Sequence, residues 1–305
     1  MQKPIIPALE VEALSHRFGK TQALDNLTFA IAPGRIVGLL GRNGAGKSTL
    51  LRIVSGQLKA KDGDAWLFGQ RIYNNTAALS SLCMIGDTPD FGKLKNVKQL
   101  LSVCDGLFPG WDRERAIQLI KLFELPITRP LKGFSRGMQT AVMLAVGLAS
   151  GALLTIFDEP SLGLDAVMRE RFYDLLLEEK QRHPERTFIL STHLIDEVAR
   201  TLDGAVMIDK GRLLCQAELS EFGRIYMSVS GAPEVVRQET DGMTILREES
   251  IAGSLVRHLR LNNAREGERL MQEGKVQIAP MNLQRLFVFL AQQNSTETMA
   301  EEVEA

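Results

Sequence analysis

Gly41-Arg42-Asn43-Gly44-Ala45-Gly46-Lys47-Ser48-Thr49 obeys the spacing G-x-x-x-x-G-K-[ST]. Glycines so placed let backbone N–H groups turn inward around phosphate oxygens, and a helix starting near Lys47 adds positive potential at its N-terminus. Lys47 can then bridge the outer phosphates while the Ser48 hydroxyl ligates Mg²⁺. The implied chemistry is that of a nucleoside triphosphate site. A ligand-free glycine turn explains neither the apolar run before it, nor the helical pattern after it, nor a second motif, Leu153-Leu154-Thr155-Ile156-Phe157-Asp158-Glu159. There an apolar run ends in two carboxylates. Asp158 suits the metal, held through water opposite Ser48, and Glu159 can polarise the attacking water as general base.

Both motifs need a sheet that brings strand ends together, and in parallel sheets ligands sit at the carboxyl ends of the strands. Short apolar runs alternate with longer helical patterns over residues 8–220, which predicts an α/β domain with a largely parallel sheet. Its predicted strands are 35–40, 153–157, 187–190 and 204–208, preceded by a β-rich portion with strands at 9–15 and 26–32 and a Pro33-Gly34 turn. Apolar residues at i, i+3 and i+4 predict helices over 97–107 and 113–123, within a helical insertion at about 88–150. After Lys210-Gly211 and a last strand near 212–216, the pattern becomes a smaller β/α mixture with helices at 233–239, 264–273 and 283–290, the last with Asn282 as N-cap. The domains so read are 1–220, a small C-terminal accessory domain at 221–293, and an acidic, solvated tail at 294–305 with four glutamates and no base.

The chain has 305 residues, which suits about two domains of roughly 150 residues. With 45% hydrophobic and 24% charged residues it matches ordinary globular usage. Thirty-six basic residues against thirty-seven acidic ones remove the electrostatic case for a nucleic-acid coat or an anionic membrane surface. Cys83, Cys104 and Cys215 fit no disulfide framework and no zinc spacing, so reduced thiols are expected. The N-terminal Met1-Gln2-Lys3-Pro4-Ile5-Ile6-Pro7 is unlike a signal peptide. Residues 137–157 carry no charge, but Gly151 divides them into a helix-like and a strand-like half, so a buried helix followed by a buried strand fits better than a membrane span. His16, His183 and His258 are read as structural.

Three further segments follow the phosphate motifs in order: Phe134-Ser135-Arg136-Gly137-Met138, Ser161-Leu162-Gly163-Leu164-Asp165 and Ser191-Thr192-His193. With them, residues 8 to about 220 resemble the nucleotide-binding subunit of ATP-binding cassette (ABC) transporters, in which these segments look like the signature, the D-loop and the switch histidine. The resemblance implies a P-loop NTPase core and a head-to-tail dimer that sandwiches two ATPs, each between the P-loop of one subunit and the signature of the other. Ser135 and the N–H groups around Gly137, opening a helical run over 138–149, would form an anion-binding helix N-terminus that their own subunit does not use. His193 would sense the γ-phosphate, Asp165 would report across the interface, and Phe18, ahead of the P-loop, would stack on adenine.

The sequence departs from the family pattern in places. Asp87, in Met84-Ile85-Gly86-Asp87-Thr88-Pro89, stands where a glutamine is usual and could still reach Mg²⁺ or water. Phe134 replaces leucine, Arg136 replaces glycine, and Thr140-Ala141 stands where Gln-Arg is common. Phe108-Pro109-Gly110-Trp111-Asp112 is similar to a segment of bacterial exporter-type ATPase subunits. The resemblance therefore implies an ATPase using ATP and Mg²⁺, peripheral on the cytoplasmic face of the inner membrane. Its partners would be a transmembrane permease, docked near Asp87 and residues 91–96, and an identical or closely related second ATPase subunit, with no nucleic acid. A soluble ABC ATPase acting on nucleic acid or ribosomes is the alternative, disfavoured by a single cassette without sustained heptads or a basic stripe. A regulatory ATPase whose C-terminal domain senses a ligand is a third.

Overall fold

A computed structural model of the chain describes residues 5–304, with side chains described except at 264–265, 272–273 and 294–304. In chain order the elements are β1 (Leu9–Phe18), β2 (Thr21–Ile31), β3 (Ile36–Leu40), α1 (Lys47–Val54), β4 (Asp62–Leu67), β5 (Gln70–Arg71), α2 (Thr76–Leu79) and β6 (Leu82–Ile85). There follow α3 (Val97–Leu107), α4 (Arg113–Leu122), α5 (Arg136–Ala149), β7 (Leu154–Asp158), α6 (Ala166–Arg182), β8 (Thr187–Thr192), α7 (Ile195–Val198), β9 (Gly204–Asp209) and β10 (Arg212–Glu218). The remainder comprises α8 (Leu219–Ile225), β11 (Tyr226–Gly231), α9 (Pro233–Glu239), β12 (Thr244–Ile251), β13 (Ser254–Arg260), α10 (Ala264–Glu273), β14 (Gln277–Pro280) and α11 (Leu283–Glu304). The fold is mixed α/β, as the sequence predicts.

Two compact units divide the chain: the first runs up to Leu202 and adds Val206–Leu213, the second takes Asp203–Ala205 and the chain from Leu214 onward. In the first lie the strands β3-β8-β7-β6 of a six-stranded sheet, adjacent in that order. Every residue of β3, β7 and β8 is buried, which is why these strands read as unbroken apolar runs. They pair in parallel, with Leu40 opposite Thr192, Asp158 opposite Ser191 and Ile85 opposite Phe157. That register lines up the carboxyl ends of β3, β8, β7 and β6, so the segments leaving them emerge side by side.

A four-stranded antiparallel sheet, β2-β1-β4-β5, forms the β-rich portion. Its alternating inward residues, Leu9, Val11, Leu24, Leu27, Phe29 and Ile31, share one core with Leu50, Leu51 and Val54 of α1 and with Val37 and Leu39 of β3. Each such side chain contributes about 1.5–3 kcal/mol when fully buried, and the shared core fixes α1, hence the loop before it, against both sheets. The helical insertion is α3 to α5, with α3 and α4 started by Asn96 and Asp112 side chains that accept from the amides of Gln99 and Arg115. The charge-free stretch resolves into α5 and β7 with Gly151 between them at φ +67°. Among the described residues, no helix is long and apolar enough to cross a membrane.

The second unit is a four-stranded antiparallel sheet, β12-β13-β11-β14, with helices α8 to α11. Asn282 caps the last helix, its Oδ1 accepting the amide of Arg285 at 2.9 Å. This helix does not stop at residue 290. Its backbone stays helical through Glu304, because residues 291–304 contain neither glycine nor proline to end it. The side chains of the expected acidic tail lie outside the described residues.

Candidate nucleotide site

The turn between β3 and α1 is built around Gly46, which stands at φ +104° as the N-cap of α1 and supplies no side-chain cap. A Cβ there would lie 2.5 Å from the carbonyl oxygen of Ala23, so both the backbone angle and the close approach require glycine. The first amides of α1 therefore face outward with no side chain satisfying them, an open anion site. Ala45 is buried and its carbonyl accepts the amide of Gly211 at 2.9 Å, which pins the middle of the loop.

Lys47 folds back over this loop. Its Nζ donates to the carbonyl of Gly41 at 2.6 Å and to that of Arg42 at 3.3 Å, and lies 3.8 Å from Glu159 Oε1. Burial pulls its pKa down from the ordinary lysine range, while Glu159 and Asp158 pull it up. Asp158 ends β7 and accepts a hydrogen bond at 2.7 Å from the Ser191 hydroxyl on the neighbouring strand. Its pKa is raised, first by burial and further by Asp87 and Glu159, against the lowering effect of Ser191 and Lys47.

Glu159 takes a left-handed backbone angle, φ +48°, which costs of order 1–3 kcal/mol and swings its side chain off the strand direction. Its amide donates to the Ser191 carbonyl at 2.7 Å. The Thr192 hydroxyl donates to its Oε2 at 3.0 Å, and His193 Nδ1 lies 2.9 Å from its Oε1. The side chains of Thr192, His193 and Lys47 thus converge on the Glu159 carboxylate.

A cleft of about 320 Å³ is lined by Arg42 to Thr49, Asp87, Asp158, Glu159 and the segment Thr21 to Ala23. It gathers Asn43, Gly44, Gly46, Lys47, Ser48 and Thr49 from the loop with both β7 carboxylates, and it includes Asp87, just beyond the end of β6. A larger cavity, about 460 Å³, lies in the second unit beside Arg224 and Arg260, remote in sequence from every group above. Among the described residues no cluster of three acidic, histidine or cysteine side chains forms a metal cage. Mg²⁺ does not need one: it favours one or two carboxylates completed by substrate phosphates and water. The hard oxygens of Ser48, Asp158 and Asp87 around one cleft, with Asp158 disfavoured in its charged form, fit that ion.

Other candidate residues stand outside the cleft. Ser135 is exposed and caps α5, its Oγ accepting the Met138 amide at 3.2 Å, with Gly137 in the first turn. Asp165 caps α6, accepting the Met168 amide at 2.9 Å. Phe18 ends β1 with 46% of its surface exposed, its ring set edge-on to His16 at 4.7 Å. Sequence reasoning missed Thr21, Gln22 and Ala23, which carry no motif, and the partners Ser191 and Thr192. These last stand beside the histidine that it did single out, and their adjacency to it was the available signal.

The chain matches a family model described as ABC transporter over residues 24–162. It is 25% identical over 288 residues to the ABC transporter ATP-binding protein YtrB of Bacillus subtilis, covering 92% of this chain and 97% of that protein. Over 227 residues it is 32% identical to the Nod factor export ATP-binding protein I of Ralstonia nicotianae, covering 70% of this chain and 68% of that one. A solved ATP-binding subunit of an ABC transporter superposes with a TM-score of 0.65 at 26% identity, over 71% of this chain and 92% of that structure. Loop, carboxylates and strand order together agree with these likenesses: this chain belongs to the ABC transporter family, as an ATP-hydrolysing, ATP-binding subunit.

Proposed function

We propose that this subunit powers a separate transmembrane permease of an exporter from the cytoplasmic face of the inner membrane. It would close head to tail with a second ATPase subunit, an identical or closely related copy, over two ATPs. The observation that carries this reading is that one chain holds two half-sites that do not meet. One is the cleft at Lys47, Asp158 and Glu159; the other is the helix N-terminus at Ser135 and Gly137, outside that cleft. A second subunit is what supplies each half with the other. Export is favoured by the Phe108–Asp112 segment, whose Phe108 and Trp111 rings stack at 6.1 Å beside the start of α4. On this reading the cassette spans 1–220 and the accessory domain 221–293.

The residues act as follows. Amides of Gly44 to Thr49, with Asn43 beside them, cradle the polyphosphate, and Lys47 exchanges its two loop carbonyls for phosphate oxygens. Ser48, Asp158 and Asp87 would hold Mg²⁺, which when bound would supply neutralisation of charge on the phosphates. Glu159 accepts a proton from the attacking water; His193, hydrogen-bonded to that carboxylate, orients it and meets the γ-phosphate. Phe18 offers a face to adenine, and Asp165 reports to the opposite site. For Glu159→Gln the expected outcome is retained ATP binding, hydrolysis lowered by about a hundredfold or more, and an ATP-bound dimer that accumulates in light scattering. Near-normal turnover would remove Glu159 from the role of base.

A further inference from the structure

Thr140 lies in the second turn of α5, 7% exposed, at one of the positions where this chain departs from the family pattern. Inside a helix a threonine hydroxyl commonly returns to the carbonyl one turn back. This one instead donates to the carbonyl of Leu162, 3.3 Å away in the turn that follows Glu159. One helical turn earlier, α5 rests on the same segment: a Cβ on Gly137 would lie 2.5 Å from the Gly163 carbonyl oxygen, so helix and turn touch backbone to backbone with no side chain between. The Arg136 side chain also packs against Gly163, its Cγ 3.2 Å from where a Cβ on Gly163 would stand.

The turn itself is tied to the general base. The amide of Leu162 donates to the Glu159 carbonyl at 3.0 Å, and that of Leu164 to the Ser161 carbonyl at 3.1 Å. Its far end is Asp165, the cap of α6. A displacement of the first turns of α5, where Ser135 and Gly137 lie, therefore reaches Glu159 through a short hydrogen-bonded turn gripped at Leu162 and Gly163.

We propose that Thr140 is a positioning residue: its hydroxyl holds the 159–164 turn against the head of α5, so that occupancy of the Ser135–Gly137 half-site sets the place of Glu159 in the same chain. The inference rests on the two-half-site reading above. Thr140→Val keeps the branched shape and removes the hydroxyl; Thr140→Ser keeps the hydroxyl. In the full chain with Mg²⁺ and ATP, Thr140→Val is expected to lower kcat roughly three- to tenfold, the effect of one neutral hydrogen bond, with KM and calorimetric ATP affinity changed less than about twofold. Thr140→Ser is expected to restore kcat to within about twofold. An unchanged kcat in Thr140→Val overturns the proposal, as does a Thr140→Ser variant impaired as far as the valine, since packing alone would then account for both. Glu159→Gln measured beside them separates the levels: if it turns over normally, the assignment of the base fails, whereas an inactive Glu159→Gln with an unaffected Thr140→Val overturns only the coupling.

Discussion

Asp158 is held where its charge is disfavoured, among Asp87, Glu159 and a low-polarity strand end, with Lys47 as the nearby cation. A carboxyl whose pKa is raised on folding binds protons more readily in the folded than in the unfolded chain. Its stabilising effect is therefore full below the unfolded value near 3.8 and is lost as pH rises through the folded one. Without nucleotide, this group's contribution to the thermal midpoint should fall with rising pH across that window, read as the difference in slope between the unaltered chain and Asp158→Asn. The same variant should raise the neutral-pH midpoint by a few degrees, on a scale of about 2–4 °C per kcal/mol for a domain of this size, while hydrolysis collapses. A lower midpoint in Asp158→Asn would contradict this account of the site. That Lys47, Ser48, Asp158 and Glu159 line one cleft was legible in the sequence because fixed residue types at fixed spacing mark the loop and the strand end. Ser191 and Thr192 were not assigned, since the partner of a hydroxyl depends on strand register, here Asp158 opposite Ser191, which one sequence does not display.

At the scale of elements, the site depends on β7 and β8 staying in register, and a buried cation ties the loops at their opposite ends. Arg186, 3% exposed just before β8, donates to the carbonyls of Leu148 at 2.6 Å and Ala152 at 3.0 Å and to Thr155 Oγ1 at 3.1 Å. Glu179 of α6, 3.6 Å away, is the acid beside it, and Glu179 also binds Arg115 of α4. Arg186→Ala strands those acceptors and is expected to destabilise the first unit by about 3–5 kcal/mol, read as a lower urea midpoint at unchanged slope. A loss below about 1 kcal/mol would show that water replaces the guanidinium. β3, β7 and β8 were readable as continuous apolar runs, and α3 and α4 from the i, i+3, i+4 spacing of their apolar residues. β4 escapes such a reading because Asp62-Gly63-Asp64 are poor strand formers, and β6 because four residues carry too little pattern. The overrun of α11 had no signal beyond the absence of a stop.

At the scale of the whole chain, each unit carries its own hydrophobic core, one running from Leu9 to Ile208 and the other from Met227 to Leu270. Calorimetry is expected to show two unfolding transitions. ATP with Mg²⁺, added to Glu159→Gln, should raise one of them and leave the other in place; a single transition shifted as a whole would refute the independence of the cores. Acid should lower the unresponsive one. His258, fully buried in the second unit, has its pKa pulled down by burial and by Arg285 and Arg247 against Glu249. A histidine so depressed stabilises above its unfolded value near 6.5, and that contribution is lost as pH falls toward the folded one. The grip of Thr192 and His193 on both oxygens of Glu159 has a bearing on the resting chain. The carboxylate is steadied at both oxygens before any nucleotide enters, so the cost of orienting it is met when the chain folds and not when a ligand arrives.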